Sequence, residues 1–306
     1  IEYKTNVKRV TMKFFFALAS LFVTLSRAAF VPGPLLAPNT NKRRNLNYEK
    51  NIKASCARLN MATSQICTFE PEDFALSTNN WPYTDADLNR LDNSDDSNFY
   101  DTPRFVTHID ESATESLTDY YREEMNAMLK KRSSNNASAS SSVDVLDLCS
   151  SWISHLPSDI PLGRVVGVGM NGEELAANPQ LTEYVVQDLN KNPVLADFED
   201  GSFDVVCNVV SVDYLTNPLE VFKETHRVLK PNGVALISFS NRCFPTKAVA
   251  MWLQADDIGR LTIVASYFHY AAIWKTIEAI DCRPQIETPA RPSFKDVLSD
   301  PNAGFA

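Results

Sequence analysis

The stretch from Leu181 to Asn241 alternates short apolar runs with polar turns in the order strand, loop, strand, helix, strand. That rhythm belongs to a parallel α/β sheet, in which each strand reaches its parallel neighbour through a crossover. YVVQ (184 to 187) and FDVVCNVV (203 to 210) are β-rich and apolar on both faces, as strands buried beneath two helical layers should be. Between the second of these and VALISF (234 to 239) lies one amphipathic helix. Leu219, Phe222, Val228 and Leu229 fall near one side of it, and Glu220, Lys223, Glu224 and Arg227 lie largely opposite. Lys230-Pro231-Asn232-Gly233 ends that helix, because proline cannot continue it and glycine or asparagine accepts a positive φ. Upstream, VDVLDL (143 to 148) and RVVGV (164 to 168) supply the first two strands. The expectation is an α/β fold with a doubly wound, mostly parallel sheet.

FEDGSFDVV, the helix ending in HRVLKPNG and the strand VALISF together resemble the second half of a class I S-adenosylmethionine-dependent methyltransferase domain of the broad small-molecule type. The resemblance covers about residues 143 to 280. It implies a Rossmann-like fold with an N-terminal helical extension, S-adenosyl-L-methionine as cofactor and a small-molecule methyl acceptor. By that resemblance Asp147 is the acid that closes the first strand. The residues after it, Leu148-Cys149-Ser150-Ser151-Trp152, contain no glycine where the family has a glycine-rich turn. Gly169, followed by Met170 and Asn171, stands where the family carries an acid for the ribose hydroxyls. Asp188-Leu189 match the acid and apolar pair that hold the adenine, and Asn208 is expected to point into the same crevice at the carboxyl edge of the sheet.

Two readings follow. In one, Ser150, Ser151 and Asn171 replace glycine backbone and carboxylate contacts with hydroxyl and amide hydrogen bonds. In the other, the chain keeps the fold as a scaffold that no longer binds the cofactor. A third reading takes Gly167-Val168-Gly169-Met170-Asn171-Gly172 as a literal G-x-G-x-x-G, with Asp188 about 20 residues on, and makes the chain an NAD(P)-dependent oxidoreductase. The helix behind that motif is short, and a strand already precedes it.

The 306 residues, 44% apolar, suffice for one good core and a small accessory region. Residues 1 to 64 are read as upstream translation, then a signal peptide from Met12 with its apolar run Phe14 to Leu25, then a basic transit-like presequence. Ala29-Phe30-Val31-Pro32 resembles the cleavage site of bipartite presequences for secondary plastids, so a chloroplast address is expected, with secretion as the alternative. These 64 residues carry 11 Lys and Arg against two acids, which leaves a net charge of −18 on the remainder of a chain whose total is −9. So acidic a body is a poor nucleic-acid binder, and no spanning segment is expected in it. The six cysteines (56, 67, 149, 207, 243, 282) show no metal-binding spacing and are read as reduced, with Cys149 and Cys207 in or beside buried strands.

By the resemblance to class I methyltransferases, many of which carry a helical extension here that folds over the cofactor, residues 65 to 131 are expected to form an accessory lid. Within it lies a helix, SATESLTDYYREEMNAMLKK, with Ser112 and Glu115 as a capping box and Ile109, Leu117, Tyr120, Tyr121, Met125, Met128 and Leu129 as its apolar face. By the same resemblance Tyr100, Arg104, His108 and Asp110 are the residues of this segment expected to line the site. RSSNNASASSS (132 to 142) reads as a flexible linker between lid and core (143 to 285), and 286 to 306 as an irregular tail, without the final strand pair that would complete a seven-stranded sheet. TKAVAMWLQ (246 to 254) reads as a helix, and residues 261 to 280 as a short strand or turn joined to a helix, which by the resemblance would close the acceptor pocket with Tyr267, His269 and Tyr270. His108, His155 and His269 are the candidate general bases.

Overall fold

The structure is a computed structural model that describes residues 8–15, 65–74, 81–135, 140–240 and 242–282. In chain order its elements are β1 (Lys8–Phe15), β2 (Gln65–Phe69), α1 (Asp85–Leu88), α2 (Asp96–Tyr100), α3 (Glu111–Asn135), β3 (Val143–Leu148), β4 (Leu162–Gly169), α4 (Gly172–Ala176), β5 (Glu183–Val186), β6 (Phe203–Val209), α5 (Pro218–Val228), β7 (Leu229–Ser240), α6 (Ala250–Gln254), α7 (Asp257–Ala271) and β8 (Trp274–Asp281). The strands form one sheet in the order β2-β8-β1-β7-β6-β3-β4-β5. Every neighbouring pair is parallel except β2 with β8. The order reverses at β3, whose neighbours are β6 and β4, and this is where an open α/β sheet leaves a crevice at its carboxyl ends.

Side chains alternate across the sheet, and the two faces carry different cores. Leu146, Leu148, Val166, Val168, Val206, Ile237 and Phe239 pack on one side with α5 and α7, through Val221, Phe222, Val264 and Phe268. Val143, Val145, Val165, Val205, Cys207 and Leu236 pack on the other with Leu117, Tyr121 and Met125 of α3. Each fully buried side chain of this kind contributes about 1.5–3 kcal/mol. The doubly wound reading therefore holds, but α3 is one of the two layers and not a lid. Its apolar face is the expected one. Its cap is Asp110, whose Oδ1 accepts from the Ala113 amide at 2.8 Å, in place of the box expected from Ser112 and Glu115.

Several boundaries differ from expectation. Helix α3 continues to Asn135, into the segment read as linker, because Arg132 there pairs with the buried carboxylate of Asp204, which Lys230 also reaches at 3.2 Å. The segment from 65 to 131 is thus not a separate unit: β2 extends the sheet and α3 shares its core. Strand β5 is an exposed edge, with Tyr184 at 45% and Val186 at 56% accessibility, although its sequence reads as buried on both faces. Residues 257 to 281 form a helix and then a strand, the reverse of the expected order. The positions beyond β7 that sequence left unfilled are taken by β8 and by β1, which lies between β7 and β8. Strand β1 falls in the segment read as presequence, while the rest of 1 to 64 and the tail from 286 lie outside the described residues. After α5, Asn232 takes the positive φ (64°). Gly233 is required there because a Cβ would sit 2.9 Å from the Lys230 carbonyl oxygen.

Among the described residues no helix is long and apolar enough to cross a membrane, and no group of His, Cys, Asp or Glu could hold a metal ion.

Candidate functional site

A cavity of about 450 Å³ opens at the carboxyl ends of β3, β4 and β6. Its floor begins with Asp147, at the end of β3 and only 2% exposed. The carboxylate accepts from the Ser150 hydroxyl at 2.7 Å and from the Cys207 thiol at 3.5 Å. No cation reaches it among the described residues, and burial pushes its pKa up to about 6 against the pull of those hydrogen bonds. The chain then turns sharply. Cys149 has φ 56°, the left-handed region that glycine occupies at little cost and that a side chain enters at about 1–2 kcal/mol. Cys149 therefore stands in the conformation that the absent glycine would supply. Burial raises its thiol to about 12, so it is no nucleophile at neutral pH.

The two serines that follow face inward. Ser150 donates to Asp147, and Ser151 donates to Glu174 of α4. Their hydroxyl protons hold the turn in place, and what they leave for a ligand is acceptor lone pairs. Gly169, at the end of β4, explains the absent ribose acid: a Cβ there would lie 2.2 Å from the backbone oxygen of Ser150. The 149–151 turn sits so close to β4, tied by Ser150 N–H to the Val168 carbonyl at 2.9 Å, that no side chain fits. Gly167 is likewise closed in, with Leu181 Cδ1 2.5 Å from a Cβ position. The first two glycines of the G-x-G-x-x-G run thus serve chain packing, and α4 behind them has five residues, which leaves the oxidoreductase reading without support.

Asn171 lines the cavity, but its amide is already engaged. Its Oδ1 accepts from the Glu173 and Glu174 amides, both at 3.0 Å, as the cap of α4, and its Nδ2 donates to the Tyr100 carbonyl at 2.9 Å. It anchors the segment before α3 across the cavity mouth. Met170, Asp188 and Leu189 line the same wall. The Asp188 carboxylate accepts from the Asn190 amide at 2.9 Å, and Leu189 is buried.

The remaining walls come from two segments far apart in sequence. Residues 96 to 108 bring Tyr100, Arg104 and His108, and the loop after β7 brings Arg242, Cys243 and Phe244. The two are riveted together by Lys247, 1% exposed, whose ammonium meets Asp92 at 3.0 Å and Asp96 at 3.2 Å. Asp96 also takes Arg90 at 2.8 Å. Aromatic rings face one another across this junction: Phe244 lies 5.3 Å from Phe99, 6.0 Å from Tyr214 and 6.1 Å from His108. His155 also lines the cavity, with φ 54°. Burial, with His108 adding to it, lowers its pKa to about 4, and His108 is itself lowered by burial and by Arg242 and Arg104.

Six expected site residues lie elsewhere. Trp152 turns outward, its ring against Phe105 at 6.3 Å and its Nε1 donating to the Val106 carbonyl at 3.2 Å, so it does not plug the cavity. Asn208 is buried behind the turn, where Nδ2 donates to the Leu148 carbonyl at 3.2 Å. Tyr267 is a core residue of α7. His269 stacks on Phe74 at 4.1 Å, and Tyr270 packs edge-on to the same ring at 6.4 Å, away from the cavity walls. All three of these residues belong to α7, which packs flat on the sheet. Of the residues before α3, Asp110 caps that helix. The sequence reading missed Glu174, Tyr214, Arg242 and Phe244, which line the cavity only because loops distant in sequence meet there. A charged Lys247 amid an apolar AVAMW run was the one available signal for that junction.

Residues 149–237 match the family described as methyltransferase domain. The chain is 32% identical over 125 residues to a demethylmenaquinone methyltransferase of Lactococcus lactis, which covers 38% of this chain and 50% of that protein. It is 29% identical over 76 residues to a malonyl-[acyl-carrier protein] O-methyltransferase of Marinomonas, over 25% of this chain and 27% of that protein. It therefore spans half or less of the length of these relatives. Among solved structures, an S-adenosylmethionine-dependent methyltransferase of Mesorhizobium loti aligns over 30% of this chain and 44% of its own, at 21% identity and a TM-score of 0.24.

Proposed function

We propose that the methyltransferase domain matched over residues 149–237 transfers the methyl group of S-adenosyl-L-methionine to a small-molecule acceptor in the 450 Å³ cavity. The observation that carries this reading is Asp147: a buried carboxylate without a cation, on the wall of an open cavity, at the end of the strand where the sheet order reverses. Such a group is costly to keep ionised by itself and is satisfied by a ligand ammonium. The amino acid end of the cofactor would lie against Asp147 and the Cys149 turn, and the adenine end against Asp188 and Leu189. The ribose would meet backbone and serine oxygens, since position 169 has no room for a carboxylate.

When bound, the cofactor supplies a sulfonium-activated methyl group. The chain's own part is orientation and exclusion of water. Segment 96 to 108, pinned by Asn171 and by the Lys247 ion pairs, covers the cavity and shapes its acceptor side. His108 and His155 are held neutral by burial and serve as proton acceptors for an acceptor that must lose a proton.

Calorimetric titration of the full chain with S-adenosylmethionine, S-adenosylhomocysteine and NAD tests this reading. Micromolar affinity for the first two is expected, with about tenfold or greater loss in Asp188→Ala. Heat with NAD alone would favour the dinucleotide reading, and no heat with any of the three would favour the scaffold. The presequence reading adds a plastid address, tested by sequencing the mature N-terminus in cells. Cleavage beyond residue 15 would remove β1 and leave β7 and β8 to pair otherwise.

A further inference from the structure

Two guanidinium groups line the cavity on the acceptor side, Arg104 before α3 and Arg242 after β7. Among the described residues neither is in an ion pair, whereas the other arginines near the cavity, Arg90 and Arg260, each have an acid. Three acids of this region have other hydrogen-bond or ion-pair partners, although Asp110 also feels the charge of Arg242. Glu174 accepts from the Arg104 backbone amide at 2.6 Å and from Ser151, and Asp110 caps α3 through Ala113 and Ser112. Asp96 is neutralised by Arg90 and Lys247. Acids share the cavity with them, but no carboxylate forms an ion pair with either guanidinium among the described residues, so the donors of both are open to a ligand. Planar groups lie nearby: Arg104 lies 4.3 Å from the centre of the Phe99 ring, and Phe99, Tyr214 and His108 gather round Phe244.

We infer that the acceptor is a planar, conjugated small molecule bearing a carboxylate or phosphate, its ring seated against Tyr214 and Phe244 and its anion held by Arg104 and Arg242. A guanidinium stacked on one ring and directed into a cavity presents donors in the fork that carboxylates and phosphates fit. Such a pair would stay solvated and gain nothing from a neutral acceptor. The inference rests on the methyltransferase reading only in calling the ligand an acceptor.

The test is calorimetry on the full chain saturated with S-adenosylhomocysteine, with benzoate, phenyl phosphate and benzamide as probes. Benzoate or phenyl phosphate should bind, and the stronger of the two names the anion. Benzamide should bind at least about tenfold more weakly, and Arg104→Gln with Arg242→Gln together should lose about tenfold or more for the anion while affinity for S-adenosylhomocysteine stays as in the parent. Thermal unfolding of the double variant at the parent temperature shows that the fold is kept. Equal binding of benzamide and benzoate, anion binding unchanged in the double variant, or no heat from either anion at about 10 mM overturns the inference. Anion binding without any binding of S-adenosylhomocysteine would instead remove the cofactor reading and leave the anion site.

Discussion

Asp147→Asn separates what this residue costs the fold from what it does for a ligand. In the folded chain the carboxyl titrates near 6 against an ordinary value of 3.8, because burial disfavours its charge more than Ser150, Ser154 and Cys207 favour it. It holds its proton more tightly folded than unfolded, so the penalty is absent well below pH 4, grows between about 4 and 6, and is complete above 6. About two pKa units at 1.36 kcal/mol each give about 3 kcal/mol at pH 8. The amide keeps the size and an oxygen for Ser150 but carries no charge. The variant should therefore be more stable than the parent by about 3 kcal/mol at pH 8, or about 6 to 12 °C in Tm, and by less than about 1 kcal/mol at pH 4. Scanning calorimetry in matched buffers across that range measures the difference. On the proposed function the same variant should bind S-adenosylhomocysteine at least about tenfold more weakly at pH 8, since the ligand ammonium loses its counter-charge. A stability difference between variant and parent that stays constant from pH 4 to pH 8 would refute the buried, unneutralised carboxylate.

Cys149→Gly should raise the unfolding free energy measured by urea denaturation by up to about 1 kcal/mol, as relief of the left-handed φ outweighs the added flexibility of the unfolded chain; a loss would mean that the thiol's packing matters more than its backbone. Gly169→Ala should displace the 149–151 turn, because its Cβ falls 2.2 Å from the Ser150 oxygen, and so lower both Tm and affinity for S-adenosylhomocysteine; unchanged values for both would show that the turn yields freely. Lys247→Met leaves Asp96 with Arg90 alone and Asp92 without its cation, and should cost about 3 kcal/mol by urea denaturation. Hydrogen exchange over residues 89 to 100 should quicken in the same variant.

Much of the scaffold was written locally. VDVLDL and FDVVCNV are apolar on both faces and short, and a strand of that kind is stable only inside a two-layered sheet, so β3 and β6 followed from composition and length. The helix before KPNG was legible from its 3.6-residue period and its proline stop. Asp147, Asp188 and Leu189 could be placed on the rim because a strand's end fixes where the next residues go. Burial, by contrast, is a property of neighbours. EYVV reads like a core strand but is the sheet's edge among the described residues and is largely exposed, and α7 reads like a pocket wall but its middle packs as a core layer with α5 and the sheet. The same limit governed the site. Whether Asn171 and the two serines face a ligand or hold the turn depends on Glu174, Tyr100 and Asp147 reaching them through space, and no spacing along the chain records that. Nor does it record that Arg104 and Arg242, more than a hundred residues apart, share one cavity. Sequence determined which segments could be strands and where the sheet's rim would lie, because backbone propensity and side-chain alternation are local. The tertiary structure alone decided which polar groups on that rim are already satisfied, because hydrogen bonds and charge neutralisation are settled by whatever comes within about 3–4 Å, whatever its place in the chain.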